Sequence, residues 1–317
     1  MKLHKDKDAF LAILQRVNEV TGIRTDILEK DYYVTLMLKE LADKQCSLPA
    51  YFKGGTALCK ALGTIQRFSE DIDLTVRIDD CSNTRAKRRL EQAAQGYVSL
   101  ARAEKKEFEH NRKGSISCVY AYKPIVDFPS NDALQRFGYV RIEATSFTVS
   151  EPIGSLEIAP VLYERAGENQ RNILAADYDV MPFQVGTISI ERIFVDKIFA
   201  AEFYYERQEY LDVAKHLYDI AVMSKLDVVD RLRGDAERLQ EMVNYKRKEE
   251  SMRIGSDLAD KPFMGFAIAK GISNDKNLEQ AFTRMQDVYV FDDVYRIEYP
   301  SACSTLTEVL ATISSLS

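Results

Sequence analysis

YFKGGTALCKALGTIQRFSEDIDLTV, residues 51–76, predicts a strand, a glycine turn, a short helix and a second strand in close succession. The first strand ends at Lys53, and Gly54-Gly55 follows, where the backbone can adopt positive φ and approach another group closely. Thr56 stands where a helix N-cap is expected. A helix that begins directly after paired glycines presents unpaired N–H groups and a positive dipole end, which suits a phosphate.

Two acidic residues of the second strand, Asp71 and Asp73, are separated by one position. Residues two apart in a strand share a face, so these carboxylates are expected to point together while Ile72 and Leu74 point into the core. Adjacent carboxylates repel each other, and Mg²⁺ usually relieves this repulsion where phosphates are bound. In two-metal enzymes, ions about 3.5–4 Å apart stabilise both the attacking and the leaving oxygen.

Glycine turn and acidic strand together predict a nucleotidyltransferase, in which the turn holds the triphosphate and the acids hold Mg²⁺ or Mn²⁺. Either motif alone is more often a plain turn or a solvated acidic pair. Their order, with Lys53 before the glycines and Ser69 ahead of the acids, favours the functional interpretation. We therefore predict that Lys53, Gly54, Gly55, Thr56 and Ser69 bind the nucleotide, an NTP.

Composition excludes several other classes of protein. The 317 residues are 46% hydrophobic and 29% charged, as in a globular protein with one large or two ordinary domains. Five scattered cysteines and three histidines make a disulfide framework or a zinc site improbable and favour a cytoplasmic location. The sequence shows no membrane segment or signal peptide, so no membrane partner is expected. A net charge of −6 argues against generic nucleic-acid binding, although a local basic groove remains compatible with it.

The segment KGGTALCKALGTIQRFSEDIDL resembles the first motif of the AbiEii/AbiGii toxin family of nucleotidyltransferases, within the DNA polymerase β-like superfamily. That family combines GG[TS]-x-L-x-K with R-[FT]-S-x-D-[IL]-D-[LF], and the resemblance covers about residues 25–225. It implies a polymerase β-like core and a third carboxylate on a neighbouring strand. Glu143 is the candidate for this carboxylate, as a third metal ligand and activator of the attacking hydroxyl. An acid that alternates outward from a strand is more often merely exposed, and this alternative stays open for Glu143.

Two further matches to the family lie in predicted helices at residues 191–206 and 210–223. An E-x-x-x-x-[DE]-K-[LI]-x-A pattern contains Lys197, and a [RK]-x-x-Y-D-[LI] pattern contains Asp219. The resemblance implies that Lys197 neutralises nucleotide phosphates and that Asp219 orients Lys197 or the nucleotide. Many relatives have Arg-Asp where this chain has Lys215-His216, which we interpret as a local substitution without consequence rather than a changed acceptor contact.

Charged residues outside these motifs allow two interpretations. The "EKDY" element, Glu29 to Tyr32, is expected on a helix at residues 25–44, mainly as a solvated or salt-bridged face and otherwise as a supporting contact for the active site. Arg85, Lys87, Arg88 and Arg89 open a long charged helix expected over residues 84–109. Their cluster is either a solvated helix end or a contact for the phosphates of a nucleic acid.

The predicted fold is α+β: a polymerase β-like nucleotidyltransferase core on a mixed sheet, followed by a helical C-terminal domain. The expected domains are residues 1–188, with N-terminal helices, and 189–317. Residues 155–162 are expected as a strand, 167–172 as a polar loop and 227–253 as a helical stretch.

The resemblance implies a metal-dependent toxin that transfers NMP from an NTP, with release of pyrophosphate. The expected acceptor is the 3′ end of tRNA, and the expected context is bacterial abortive infection and phage defence, with an antitoxin encoded by an adjacent gene. The alternatives are nucleotidylation of a protein hydroxyl and a non-catalytic nucleotide-binding module.

Overall fold

The computed structural model has an α+β fold, in which strands of one mixed sheet are interspersed with helices along the chain and more helices follow. The structure describes residues 1–62, 67–127, 137–252, 256–290 and 292–315. The α+β prediction is confirmed. The described residues divide into two units. Apart from residues outside the description, the first consists of Met1–Ala61, Phe68–Ser146 and Ile153–Thr187. The second holds the chain from Ile188 onward and also contains Arg67 and the segment Phe147–Pro152.

Eight strands in the described part of the chain form one sheet. The strands are β1 (Ala50–Lys53), β2 (Ile72–Val76), β3 (Ala101–Ala103), β4 (His110–Arg112), β5 (Ser115–Ala121), β6 (Tyr139–Thr145), β7 (Ile153–Ile158) and β8 (Phe183–Ile188). Their order is β3-β5-β6-β2-β1-β8-β7, and β4 pairs with β5. At the centre, β2 runs antiparallel to β1 and parallel to β6. Alternation along β2 buries Ile72 and Leu74, as the sequence predicts.

The helices of the first unit either precede β1 or lie between strands along the chain. They are α1 (Lys7–Thr21), α2 (Thr25–Lys44), α3 (Gly54–Leu62), α4 (Asn83–Ala94), α5 (Val161–Glu164) and α6 (Glu168–Tyr178). Helix α1 begins where the Asp6 carboxylate accepts a hydrogen bond from the Ala9 N–H, and it ends at Gly22, whose φ of 73° terminates the helix.

Helix α2 is buried along most of its length, including the charged EKDY element. Glu29 accepts a hydrogen bond from the Ile125 N–H at 2.9 Å, and Lys30 donates to the Tyr139 carbonyl. Asp31 forms an ion pair with Lys60. The expectation of a solvated face is therefore wrong, and the alternative of a salt bridge holds for Asp31. A helix covered on several sides has no apolar stripe from which burial of its charged residues could be predicted.

Three sequence-based expectations in the first unit are wrong. The helix expected over residues 84–109 ends at Ala94, because Gly96 adopts φ 73° and the chain then enters β3 and β4. The loop expected at 167–172 belongs largely to α6, whose start is supported by a hydrogen bond from the Gly167 N–H to the Gln170 side chain. The strand expected at 155–162 lies at Ile153–Ile158, and the short α5 follows it.

The second unit is helical in the part the structure describes. Its helices are α7 (Ile190–Tyr205), α8 (Tyr210–Met223), α9 (Asp227–Gly234), α10 (Ala236–Met252), α11 (Ala267–Gly271), α12 (Lys276–Tyr289) and α13 (Tyr299–Ser314). The helical stretch expected over 227–253 is split after Gly234. Arg192 of α7 is fully buried and pairs with Glu249 of α10 at 2.6 Å and with Asp196 at 2.8 Å. Over the described ranges, no helix is long and apolar enough to span a bilayer.

We predict that Glu29 makes the stability of the protein depend on pH. Burial raises the pKa of Glu29 to about 7, against the hydrogen bonds from Ile125 and Val126 that lower it. The folded protein therefore binds one more proton than the unfolded chain between about pH 4.5 and 7, so this carboxyl lowers the stability as the pH rises through that window. Glu29→Gln should remove this dependence, and its stability relative to wild type should rise by roughly 2–3 kcal/mol from pH 4.5 to pH 8.

Urea unfolding of both proteins across this pH range measures the effect. The matched control is Glu107→Gln, which removes an exposed carboxyl. If the curves of stability against pH for wild type and Glu29→Gln run parallel, the shifted pKa of Glu29 is contradicted.

Candidate active site

Asp73 lies in β2 between a cationic and an acidic neighbour. Its partner in the antiparallel strand β1 is Lys53, and its partner in the parallel strand β6 is Glu143. Residues directly opposite each other in neighbouring strands share a face of the sheet. The register therefore places Lys53, Asp73 and Glu143 in one row across three strands.

Burial and like charge both oppose ionisation of Asp73 in this row. Burial first, and then the negative charges of Glu143 and Asp71, raise the pKa of Asp73 to about 6, while Lys53 and Arg141 act in the opposite direction. A carboxyl in this environment is stabilised in its ionised form by any additional cation. The arrangement thus favours binding of a positively charged group.

Asp71 precedes β2 and forms an ion pair with Arg141, whose Nη2 lies 2.7 Å from Asp71 Oδ2. Arg141 belongs to β6, two positions before Glu143, and therefore projects on the same face. Arg141 is not among the predicted site residues. Its position two residues before Glu143 on the same strand is the signal that identifies it.

Gly54 approaches Asp73 so closely that no other residue fits. It adopts φ +81°, and a Cβ atom built on it would lie 2.4 Å from Asp73 Oδ2. Helix α3 begins at Gly54 and includes Gly55 in its first turn, where backbone N–H groups have no acceptor within the helix. The glycine pair thus combines a helix start with a close contact to the acidic strand.

Thr56 lies inside the first turn of α3, so the expectation that it caps this helix is wrong. Its buried hydroxyl lies 2.7 Å from Ser69 Oγ and donates a hydrogen bond to the carbonyl of Asp71. These contacts connect α3 to the segment that leads into β2. Thr56 and Ser69 therefore position the acidic strand relative to the helix start.

Helix α3 is held in place by a buried ion pair that the sequence analysis did not anticipate. Lys60 pairs with Asp31 of α2 and donates a hydrogen bond to the Ala159 carbonyl at 3.2 Å. The other carboxylate oxygen of Asp31 accepts a hydrogen bond from the Val161 N–H at 2.7 Å. One aspartate thus links α2, α3 and the start of α5.

The acidic residues fit a divalent cation in the chemistry of their donor atoms. Hard cations such as Mg²⁺ take oxygen ligands, and Asp73 and Glu143 are neighbouring carboxylates whose repulsion a cation would relieve. Within the ranges the structure describes, no group of three or more His, Cys, Asp or Glu side chains is arranged to hold a metal ion. Arg141 supplies the positive charge next to Asp71 in this structure.

A second charged cluster, made of Arg67, Lys197 and Asp219, lies within the second unit. Arg67 binds Asp219 through two hydrogen bonds of 2.6 and 2.7 Å, and Lys197 Nζ lies 2.8 Å from Asp219 Oδ2. Asp219 has no exposed surface. Burial alone would raise the pKa of Asp219, but Arg67 and Lys197 hold it well below its usual range. Asp219 therefore stays ionised and orients both cations.

His216 lies one helical turn before Ile220 on α8 and stacks on Tyr204, with ring centroids 5.3 Å apart and an interplanar angle of 17°. Burial lowers the pKa of His216 well below its ordinary value, and Lys197 lowers it further. The ring is therefore neutral and packs as an aromatic group. Lys197 and Asp219 are buried rather than on the helix surface, where residues of their type are usually found.

Comparison with known proteins supplies the family. The model of the nucleotidyl transferase AbiEii toxin family, type IV toxin–antitoxin system, matches residues 36–299. The chain belongs to this family. It is accordingly an enzyme, a nucleotidyltransferase toxin of a type IV toxin–antitoxin system, with an NTP as substrate and an antitoxin as partner.

Among solved structures, the chain is similar to MenT4, a nucleotidyltransferase toxin from Mycobacterium tuberculosis H37Rv. The two share 16% identity with a TM-score of 0.45, over 93% of this chain and 98% of MenT4. The search of curated protein sequences gave no match.

Replacing Gly54 tests the close approach to Asp73. Gly54→Ala should destabilise the protein by about 1–3 kcal/mol, because alanine is strained at φ +81° and its Cβ collides with the Asp73 carboxylate. Gly22→Ala is the matched control, since Gly22 has φ +73° but no atom within 4 Å of the added Cβ. Urea unfolding should show a larger loss for Gly54→Ala than for Gly22→Ala. Equal losses would mean that the contact with Asp73 has no energetic weight.

Removing the charge of Asp219 should destabilise the second unit. Asp219→Asn leaves Arg67 and Lys197 buried without a full countercharge, so we expect a loss of about 3–5 kcal/mol at pH 7. Because the pKa of Asp219 is depressed in the folded state, its contribution is present at neutral pH and declines as the pH falls below about 4. Asp212→Asn on the same helix removes a more exposed carboxylate and should change stability by less than about 0.5 kcal/mol. Chemical unfolding at pH 7 measures both, and similar losses would contradict the prediction.

Proposed function

We propose that this toxin transfers a nucleoside monophosphate from an NTP to the 3′ end of tRNA and releases pyrophosphate. The observation that carries the proposal is the row of Lys53, Asp73 and Glu143 beside Gly54. A helix start that presents backbone N–H groups next to paired acids is suited to a metal-bound triphosphate.

Each candidate site residue of the first unit has a proposed task in this reaction. Lys53 and the N–H groups that begin at Gly54 and Gly55 bind triphosphate oxygens. Thr56 and Ser69 hold the acidic strand in position through their hydroxyl contacts. Glu143 accepts the proton of the attacking hydroxyl, a role that its pairing with Asp73 on one face of the sheet supports.

Asp71, Asp73 and Glu143 would hold Mg²⁺ or Mn²⁺. Such a cation, when bound, would offset the negative charge of the phosphates and of the carboxylates. In the second unit, Lys197 is proposed to neutralise phosphate charge, and Asp219 is proposed to orient Lys197. The buried contact between Asp219 and Lys197 supports the second of these roles. The proposed domains are residues 1–188 for nucleotide transfer and 189–317 as a helical domain.

The acceptor and the biological context are also part of the proposal. We propose that the protein acts in the cytoplasm, in abortive infection against phage, and that an adjacent gene encodes its antitoxin. The alternative acceptor is a hydroxyl group on a protein. The acidic net charge of −6 is the observation that favours this alternative.

We predict that transfer depends on the two aspartates. Asp71→Asn and Asp73→Asn should each lower the rate of NMP transfer at least about 100-fold, because each would remove a carboxylate ligand of the cation that offsets the phosphate charge. Incorporation from each of the four labelled NTPs into purified tRNA, with Mg²⁺ or Mn²⁺, measures this rate. Asp79→Asn is the control, since Asp79 is an exposed acid in the loop after the same strand, and it should transfer at the wild-type rate.

Two further arms of this experiment separate the alternatives. Oxidising the terminal ribose of tRNA should abolish labelling, whereas label on protein in a cell extract would identify a protein acceptor. Nucleotide binding in a calorimeter without any release of pyrophosphate would indicate a non-catalytic module. Either of the latter results would overturn the proposed reaction.

A further inference from the structure

The start of α4 concentrates positive charge that does not stabilise the helix. Arg85, Lys87, Arg88 and Arg89 lie in its first two turns, and its first turn contains no acidic residue. The N-terminus of a helix carries the positive end of the dipole, so cations there are unfavourable for the helix. Side chains and dipole thus add to one local positive potential.

Arg89 is built into this end of the helix, whereas its neighbours are available. Arg89 is buried, and it binds the Asp80 carboxylate and the Arg77 carbonyl, the latter at 3.0 Å. The side chains of Arg85 and Arg88 are exposed and make no hydrogen bond or ion pair with any residue the structure describes. Lys87 lies 3.9 Å from Glu91, a weak exposed pair. Two arginines therefore remain to bind an external anion.

Two adjoining cavities run past these arginines and form what we term the α4 groove. The first, of about 420 Å³, is lined by three arginines of α4 and by hydroxyl groups that include Ser47 and Ser82, with no acidic side chain among its lining residues. The second, of about 470 Å³, shares Ser47, Arg88 and Gln92 with the first and extends to Lys44. Glu91 is the one acidic residue that lines it. An elongated groove with cations and hydroxyl donors matches a chain of phosphates better than a single small anion.

The groove lies in the same unit as the acidic row, at the other end of β2 and against the opposite face of the sheet. Helix α4 packs on that opposite face, because the Tyr120 hydroxyl donates to the Ala94 carbonyl and Tyr120 pairs with Val140, three positions from Glu143. Arg77 follows β2 and accepts the hydrogen bond of Arg89. It lies four residues after Asp73, which corresponds to roughly 14 Å along a strand. A stacked nucleic-acid strand advances about 3.4 Å per nucleotide, so an RNA that passes around the end of β2 needs at least about four nucleotides.

We propose that the α4 groove binds the sugar–phosphate backbone of the RNA acceptor, about four or more nucleotides from the 3′ end at which transfer occurs. The inference rests on the proposed function, because it takes the acidic row as the place of the 3′ end. Arg85 and Arg88 contact phosphates, and Ser47 and Ser82 donate hydrogen bonds to them. The groove reads no base sequence, so it contributes affinity and positioning alone.

The test is RNA binding by the full chain with Arg85→Glu/Arg88→Glu. Fluorescence anisotropy with a labelled 12-nucleotide RNA should show at least tenfold weaker binding at 150 mM salt. The slope of log affinity against log salt should fall in magnitude by about 1.4, since two phosphate contacts of a single strand are lost. A 3-nucleotide RNA whose 3′ end is held at the acidic row cannot also reach the groove, so in the double variant the advantage of the longer RNA over the shorter should largely disappear.

Lys276→Glu/Arg284→Glu is the matched control, because it makes the same change of net charge at exposed positions of α12 and should leave RNA affinity unchanged. Thermal unfolding should show no loss of stability for Arg85→Glu/Arg88→Glu, since acids at a helix start favour the dipole. Arg85→Gln/Arg88→Gln provides a milder pair with the same expected direction.

Equal salt slopes for wild type, Arg85→Glu/Arg88→Glu and Lys276→Glu/Arg284→Glu would overturn the proposal. Equal weakening of the long and short RNAs would overturn it as well. Neither measurement requires NMP transfer, so failure of the groove is distinguishable from failure of the proposed reaction, which the labelled-NTP assay reports independently.

Discussion

The parallel register of β2 and β6 is the constraint on which the candidate site depends. It places Asp73 beside Glu143, and a shift of one residue would turn one of them to the opposite face. Burial and the neighbouring charges of Glu143 and Asp71 raise the pKa of Asp73, so its ionised form is unfavourable in this arrangement. The pairing persists because the same register buries Ile72 and Ile142 in the core. Apolar burial thus holds an electrostatically unfavourable arrangement that a bound cation would relieve.

The rest of the first unit brings a helix start to that row of charges. Gly54 leaves room for the Asp73 carboxylate, and Thr56 connects α3 to the segment before β2. The buried pair of Lys60 and Asp31 fixes α3 against α2. Removing one partner of such a pair is costly, because the other charge stays buried. The buried pair of Lys60 and Asp31 therefore determines where the proposed phosphate-binding end of α3 lies.

Local patterns in the sequence predicted the central strands and most helices, because glycines, caps and alternation act over a few residues. Helix α2 and helix α8 have the predicted bounds, although neither has a side-chain N-cap. The predictions that failed concern residues whose partners are distant in sequence. The buried roles of Glu29 and Asp31 depend on partners 96 and 130 positions away. The chain after Ala94 joins the sheet through pairing with β5, which helical propensity cannot anticipate. Arg141 and Arg67 were missed because their carboxylate partners come from other elements.

The two charged clusters, each considered within its own unit, have opposite surpluses. In the first, the carboxylates of Asp71, Asp73 and Glu143 outnumber the cations Lys53 and Arg141. In the second, two cations, Arg67 and Lys197, bind Asp219, which is the carboxylate that the described residues supply to this cluster. A surplus of negative charge is stabilised by a cation, and a surplus of positive charge by an anion such as phosphate. Under the proposed function, the first cluster would therefore take the divalent cation and the second would take the phosphate charge of the NTP.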